Sequence, residues 1–239
     1  MLNNQILREL NYLRFKVTRE IASLMVPKGP ILINNSFSMY TDHYDASGLA
    51  LNRTYEPEQT ALIKKNVKKE SIALDIGANI GYYSLLFATI CKKVYAFEPE
   101  RENYELLKRN IDLNHFGDRI TTERKALSDH EGKLTLNLDR YNFGGHSIIA
   151  PRHLEGTETV SGVRLDDYFK NKEKPDYIKI DVEGYEKTVI RGGKQIFRNA
   201  KLILFEDNSR EAALELKAMG FSVHVLSQGN NFYAVKKQG

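Results

Sequence analysis

Cysteine, tryptophan and long apolar runs are what this sequence is short of. It has one Cys (Cys91) and no Trp in 239 residues. A single thiol closes no internal disulfide, and without a Cys cluster there is no structural zinc site. No segment reaches the ~18–20 consecutive apolar residues of a membrane-spanning helix. The N-terminus has no apolar h-region with a small-residue cleavage site, so a cytoplasmic location is the expectation. No repeat or low-complexity tract is present, and 41% hydrophobic with 28% charged residues is ordinary for a globular chain. That composition excludes disordered, collagen-like and disulfide-scaffold classes. An arginine-rich stripe interleaved with aromatics is also missing. The net charge is +4, yet residues 71–239 hold 25 Lys/Arg against 24 Asp/Glu. The excess sits in residues 1–70, where Lys64, Lys65, Lys68 and Lys69 read as a solvated helix face.

What is present is a change of pattern near residue 58, which divides the chain into 1–57 and 58–239. In the first part Leu2, Ile6, Leu10, Leu13, Val17, Ile21 and Leu24 recur every three or four residues, one apolar stripe on a helix ended by Pro27, Gly29 and Pro30. Such a helix packs on its own domain or makes a homodimer with a second copy; a membrane-surface role fits its mixed polar face less well. Residues 31–57 carry Phe37, Tyr40, His43, Tyr44 and Tyr55 without a clear period, a stretch that caps a pocket or merely connects. From 58 on, helices and short apolar strands alternate: helix 58–69, strand 71–76, helix 82–91, strand 94–97, helix 100–114 and strand 120–127. This is the signature of a parallel sheet with crossover helices. Residues 131–163 read as an insertion of short strands (133–138, 142–149 and 157–163) over the sheet's carboxyl edge, covering the acceptor site. Strand 177–180, helix 185–191, strand 202–205 and helix 210–219 resume the alternation. A terminal hairpin, 221–226 and 232–235, makes the last strand antiparallel, unlike a plain dinucleotide fold.

Chemistry concentrates at three places. Leu74-Asp75-Ile76-Gly77-Ala78-Asn79-Ile80-Gly81-Tyr82 follows a strand and opens a helix, so its glycines admit a tight turn and its free N–H groups face a ligand. Asn79 stands where a dinucleotide fingerprint needs its second glycine, which points to a ligand without a pyrophosphate. Glu98, at the end of the next strand and 21 positions after Gly77, has the spacing of an acid that accepts from ribose hydroxyls. Together they indicate an adenosine-type cofactor. The third place is Lys179-Ile180-Asp181-Val182-Glu183-Gly184-Tyr185-Glu186. A helix dipole accounts for Glu183 and Glu186, but not for Lys179 inside an apolar strand or Asp181 at its tip, where α/β folds bind ligands.

These segments resemble the FkbM-type S-adenosylmethionine-dependent methyltransferases. The likeness rests on LDIGANIGYYS (74–84), FEPE (97–100) with Asn103, KALSDHEG (125–132), VRLDDYF (163–169) and IKIDVEGYEKTVIRGG (178–193). It implies a class I methyltransferase (Rossmann-like) α/β fold, a seven-stranded sheet with an antiparallel terminal strand, here with an N-terminal helical extension. It implies O-methylation of a hydroxyl on a sugar, glycan or glycosylated small molecule, with S-adenosylmethionine as cofactor. Carried onto this sequence, the cofactor-binding set is Asp75, Gly77, Ala78, Asn79, Gly81, Tyr82, Glu98, Asn103, Ala126 and Leu127. Asp181 resembles the acid near the methyl group and acceptor.

Methyl transfer is an in-line displacement, and a protonated alcohol needs a base or a metal to become a nucleophile. Asp181, Lys179 and His146 are the catalytic candidates, His146 because it lies on the insertion. Asp181 with Asp207 and Asn208 resembles the magnesium site of catechol-type O-methyltransferases, and hard oxygen ligands suit Mg²⁺. An RNA or protein methyltransferase is the first rival, but Asp181-Val182-Glu183-Gly184 is not the Asn/Asp-Pro-Pro-aromatic motif of base methylation. Those acids would also repel a phosphate backbone, so no nucleic-acid partner is expected. A cofactor-binding module without turnover is the second rival.

Overall fold

The computed structural model describes residues 17, 23–24, 26–43, 45, 47–139, 145–149, 154–227 and 229–237. Apart from Val17 and Leu24, the apolar stripe of the N-terminal helix lies outside the described residues, as do Tyr44 and 142–144. An antiparallel hairpin, β1 (Ile31–Ile33) and β2 (Phe37–Met39), turns through Asn34 and Asn35 at positive φ, which Asn tolerates better than most residues. Helices α1 (Leu49–Asn52) and α2 (Pro57–Asn66) follow. Proline at the start of α2 costs no hydrogen bond, since the first N–H groups of a helix are unpaired anyway.

The alternating units are β3 (Ile72–Ile76), α3 (Tyr82–Ala88), β4 (Lys93–Phe97), α4 (Arg101–Leu113) and β5 (Ile120–Glu123). Strands β6 (Ala126–Ser128), β7 (Gly132–Asp139) and β8 (Leu154–Arg164) come next. The chain then runs through α5 (Leu165–Tyr168), β9 (Tyr177–Ile180), α6 (Glu186–Gly192), α7 (Lys194–Asn199), β10 (Leu202–Glu206), α8 (Glu211–Ala218), β11 (Phe221–Val225) and β12 (Asn231–Lys236). Seven strands make one sheet in the order β11-β12-β10-β9-β3-β4-β5. From β10 to β5 all are parallel, and β12 runs antiparallel between β10 and β11. The expected class I architecture is therefore the one observed. Strand order reverses between β3 and β9, the switch point at which open α/β sheets bind ligands.

Alternate strand residues enter two cores, one on each face of the sheet. Ala73, Val94, Tyr177 and Leu204 join the hairpin, α2, α3 and α4, whereas Leu74, Phe97, Ile178 and Phe205 join α5 to α8. The period of two that a strand imposes puts Asp75 and Lys179 on the first of these faces, where they are cross-strand partners. Two expectations change. The single strand read over 120–127 is split: Ile120–Glu123 stays in the main sheet, and Ala126–Ser128 joins β7 and β8 in a separate three-stranded sheet. The strand read over 142–149 reduces, among the described residues, to one bridge between Ser147 and Asn137. Residues 31–39, which showed no period, form the hairpin, because three-residue strands are too short for one. No helix among the described residues is long and apolar enough to cross a membrane.

Candidate active site at the switch point

Where β3 ends, the N–H groups of Gly77 and Ala78 donate to the Phe97 carbonyl at 3.0 and 2.9 Å, tying the glycine loop to the tip of β4. Gly77 has φ 76°, and a Cβ there would lie 1.8 Å from the Asp181 carbonyl oxygen. Only glycine lets the loop press against the tip of β9. Gly81, at φ 100°, caps α3 against Leu107. Between them Asn79 takes φ 49°. Its N–H donates to Glu98 Oε2 at 2.7 Å, and the N–H of Glu100 donates to Glu98 Oε1 at 2.9 Å. Burial nevertheless dominates at Glu98, with like charge from Glu100 and Asp75 adding to it, and pushes the carboxyl up to about 8.

Two hollows open from this loop. The first, about 550 Å³, is lined by Glu98 and Asn103 at one side and by Ile76, Phe97, Ala126, Leu127, Leu136 and Ile148 at the others. A largely apolar slot with Glu98 recessed in it has the chemistry to hold a planar base and a ribose. The second, about 790 Å³, is lined by Ser47, Tyr55, Tyr82, Tyr83, Glu183 and Glu206. Gly77, Asn79 and Asp181 line both. Asn79 Oδ1 is a buried acceptor without a hydrogen bond among the described residues.

At the second hollow an ionic group is built around a buried lysine. Lys179, 1% exposed, places its ammonium 3.2 Å from Asp181 Oδ2 and 3.6 Å from Glu56 Oε2, above the Tyr83 ring. Burial works against this charge, but the two carboxylates outweigh it and raise the lysine above its ordinary range. Glu56 also accepts from Tyr83 Oη at 2.6 Å and Asn231 Nδ2 at 2.9 Å, and it holds φ 40°, a strained value for a glutamate. Neither Glu56 nor Tyr83 stood out in the sequence. They meet Lys179 only through the fold, and no local spacing links residues 56, 83, 179 and 231.

The structure thus brings Gly77, Asn79, Glu98, Asn103, Ala126, Leu127, Tyr82 and Asp181 to the two hollows, with Ala78 in the wall of the second. Other expected residues lie elsewhere. Asp75 is 1% exposed, lines neither hollow and accepts from Ser84 Oγ at 2.6 Å. Burial raises its carboxyl to about 6. It holds α3 under the loop rather than facing a ligand. His146 lines the first hollow, and its Nδ1 accepts the Asp139 N–H at 2.9 Å. Leu136, His146 and Ile148 of the insertion all face the first hollow, and none of the insertion's described residues lines the second. The expected magnesium ligands do not converge either. Asp207, 1% exposed, accepts from the Ala213 N–H at 2.8 Å and Ser209 Oγ at 3.2 Å, which turns it into α8. Asn208 is bonded to Glu206 and Asn230, and among the described residues no three His, Cys, Asp or Glu side chains are grouped to hold a metal.

Residues 75–223 match the family model described as the methyltransferase FkbM domain. The chain is 24% identical over 153 residues to the hexuronic acid methyltransferase AglP of Haloferax volcanii, covering 63% of this chain and 62% of that protein. It is 28% identical over 164 residues to the 2-O-methyltransferase NoeI of Sinorhizobium fredii, covering 60% and 66%. The chain thus spans less than two thirds of the length of these two relatives. The crystal structure of an FkbM methyltransferase from Methylobacillus flagellatus shares the fold, with a TM-score of 0.54 at 15% identity over 81% of this chain and 51% of that one.

Proposed function

We propose that this chain, which belongs to the FkbM methyltransferase family, is an S-adenosylmethionine-dependent methyltransferase whose acceptor is a hydroxyl of a sugar, glycan or glycosylated small molecule. The names of AglP and NoeI, a hexuronic acid methyltransferase and a 2-O-methyltransferase, support a sugar hydroxyl. The residues fit the cofactor: the apolar slot takes the adenine, the Glu98 carboxylate takes the ribose hydroxyls, and the orphan Asn79 Oδ1 takes an ammonium donor. When bound, S-adenosylmethionine supplies a methyl group on a positively charged sulfur.

The observation that carries this reading is Asp181 at the junction of the two hollows. Lys179 engages its Oδ2, and its other oxygen has no hydrogen bond within the described residues. That free oxygen is placed to receive the proton of an acceptor hydroxyl entering from the second hollow, as a general base must be. Lys179, held as an ammonium, fixes the carboxylate's orientation instead of taking a proton. The test is methyl transfer from labelled S-adenosylmethionine to a panel of mono- and oligosaccharides. Asp181→Asn should lower kcat by about 10²–10⁴-fold, with S-adenosylhomocysteine binding retained. Undiminished turnover in that variant would remove Asp181 as the base, and transfer to no sugar would remove the acceptor class.

A further inference from the structure

Glu56 lies outside the family-matched stretch, 75–223, yet its side chain reaches Lys179 of β9. It stands immediately before α2, at the position where an acid usually accepts from the first free N–H groups of its helix. Here its side chain makes no such bond. The carboxylate turns away from α2 and is only 12% exposed. Oε2 accepts from Tyr83 Oη at 2.6 Å and lies 3.6 Å from the Lys179 ammonium, and Oε1 accepts from Asn231 Nδ2 at 2.9 Å. Burial and then the Glu56 charge push the Tyr83 ionisation upward, so its hydroxyl stays a donor. The Glu56 φ of 40° is strained, and Pro57 narrows the conformations open to the residue before it. A glutamate kept off its preferred backbone, and out of a helix-capping role, serves its partners on α3, β9 and β12 instead.

The segment that carries Glu56 is itself fastened to the domain. Asn110 and Asn114 of α4 grip β2: the Tyr40 and Ser38 N–H groups donate to their side chains at 2.7 and 2.9 Å, and both amides donate back to Tyr40 and Ser38 carbonyls. Tyr82 Oη of the cofactor loop's helix meets Asn34, Thr54 and Thr60, and Thr60 Oγ1 donates to the Tyr55 carbonyl at 2.7 Å. Glu56 is therefore presented to Lys179 from a fixed wall. Such an anchor matters to a lysine, whose flexible four-carbon stem and rotatable ammonium leave its direction open when it has one partner. Asp181 Oδ2 is one partner, at 3.2 Å, and Glu56 is the second. The Tyr83 ring lies 5.0 Å from the ammonium, and Asp75, across the strand pair, adds a weaker attraction.

We infer that Glu56 is a positioning residue for methyl transfer: it anchors the Lys179 ammonium, so that Lys179 holds Asp181 Oδ2 and keeps the second carboxylate oxygen turned to the acceptor hydroxyl. The inference rests on the reading of Asp181 as the base and extends it to a residue beyond the family match. Glu56 exchanges no proton in this scheme; the acceptor's proton goes to Asp181. A misplacement of about 1 Å in such machinery costs about 10²-fold in rate, so losing the anchor should show in kcat and not in cofactor binding. Glu56→Gln removes the anchoring charge and keeps an oxygen for Tyr83 or Asn231. Glu56→Asp keeps the charge on a shorter arm, and aspartate takes a positive φ more readily.

The first measurement needs no acceptor. It is the NMR signal of the Lys179 ammonium in the full chain loaded with S-adenosylhomocysteine, assigned by its loss in Lys179→Met. Glu56→Gln should broaden or shift that signal, and Glu56→Asp should return it toward its wild-type position. The second is methyl transfer to the sugar panel. Glu56→Gln should lower kcat by about 10²-fold with KM and S-adenosylhomocysteine affinity held, and Glu56→Asp should recover part of the loss. In the Lys179→Met background the same substitution should cost nothing further, because no ammonium is left to anchor. Lys179→Gln takes the place of Lys179→Met if that variant does not fold. An unchanged ammonium signal in Glu56→Gln, or an unchanged kcat there beside an inactive Asp181→Asn, overturns this inference alone. So does an undiminished Glu56→Gln loss in the Lys179→Met background, or loss of the fold in both Glu56 variants. Full turnover by Asp181→Asn, or transfer to no sugar, overturns it together with the reading it rests on.

Discussion

The two hollows share Gly77, Asn79 and Asp181 but are built from different stretches of chain with opposite chemistry. The first is a largely apolar slot with Glu98 recessed in it, and part of its wall comes from β6 and β7 of the small sheet. The second is lined by tyrosines and carboxylates, and Ser47 and Tyr55 in its wall come from before the first strand of the main sheet. In the reading proposed above, the first hollow takes the cofactor and is lined from within the family-matched stretch, whereas the second takes the acceptor and draws Ser47 and Tyr55 from outside it. On that reading the contrast teaches that a family match describes the cofactor side of this protein better than its acceptor side.

Changes at the junction should break both regions at once. Gly77→Ala places a methyl group into the backbone of Asp181 and keeps a left-handed φ, itself costing about 1–3 kcal/mol. The expected result is a lowered denaturant midpoint together with loss of S-adenosylhomocysteine binding and of turnover. A variant with wild-type affinity would show that the loop does not need to touch β9.

A change at the recessed acid should break one region only. Glu98→Gln should weaken S-adenosylhomocysteine binding by about 1.5–3 kcal/mol, the range for hydrogen bonds to a charged group, read by calorimetry above pH 8. Since the folded carboxyl titrates at about 8, wild-type affinity should climb as pH rises through that value and the Gln variant should stay flat. The stability sign is the reverse. The folded chain keeps this proton up to about pH 8, whereas the unfolded chain releases it near 4.5. The group's contribution is therefore full below 4.5 and is lost as pH rises through 8. Urea midpoints across that window, compared with Glu98→Gln, check it.

The smallest effect is expected at a residue that belongs to neither hollow. Asp207→Ala removes the acceptor for the Ala213 N–H and should cost about 1 kcal/mol, the usual size of a lost helix-start bond. Thermal unfolding reads the loss, and methyl transfer should not change. A large fall in activity would return Asp207 to the site.

Much of the first hollow was legible in the sequence. The glycine loop lies on consecutive residues, and Glu98 follows it by one helix and one strand, so both could be placed by counting. The same local logic misassigned Asp75: its motif position says cofactor, but the strand's period of two turns it inward to Ser84. It also misassigned Asp207, since an acid at a strand tip and an acid that caps the next helix look alike until the helix direction is known. The sequence places the insertion over the acceptor site, whereas its Leu136, His146 and Ile148 line the first hollow; which hollow it meets depends on how β6 pairs with β8, and no pattern within 131–163 encodes that.

By itself the sequence determined the alternation of main-sheet strands and helices from residue 58 on, the antiparallel last strand, the glycine loop and the acid at the end of the next strand, because each is set by neighbours along the chain. Only the tertiary structure decided that Glu56, Tyr83, Lys179 and Asp181 form one ionic group around a buried lysine, and that Tyr55 rather than His146 faces the second hollow. The reason is physical. Those contacts join residues up to 123 positions apart, and their geometry comes from packing across the sheet and from the hold of Asn110 and Asn114 on the N-terminal hairpin.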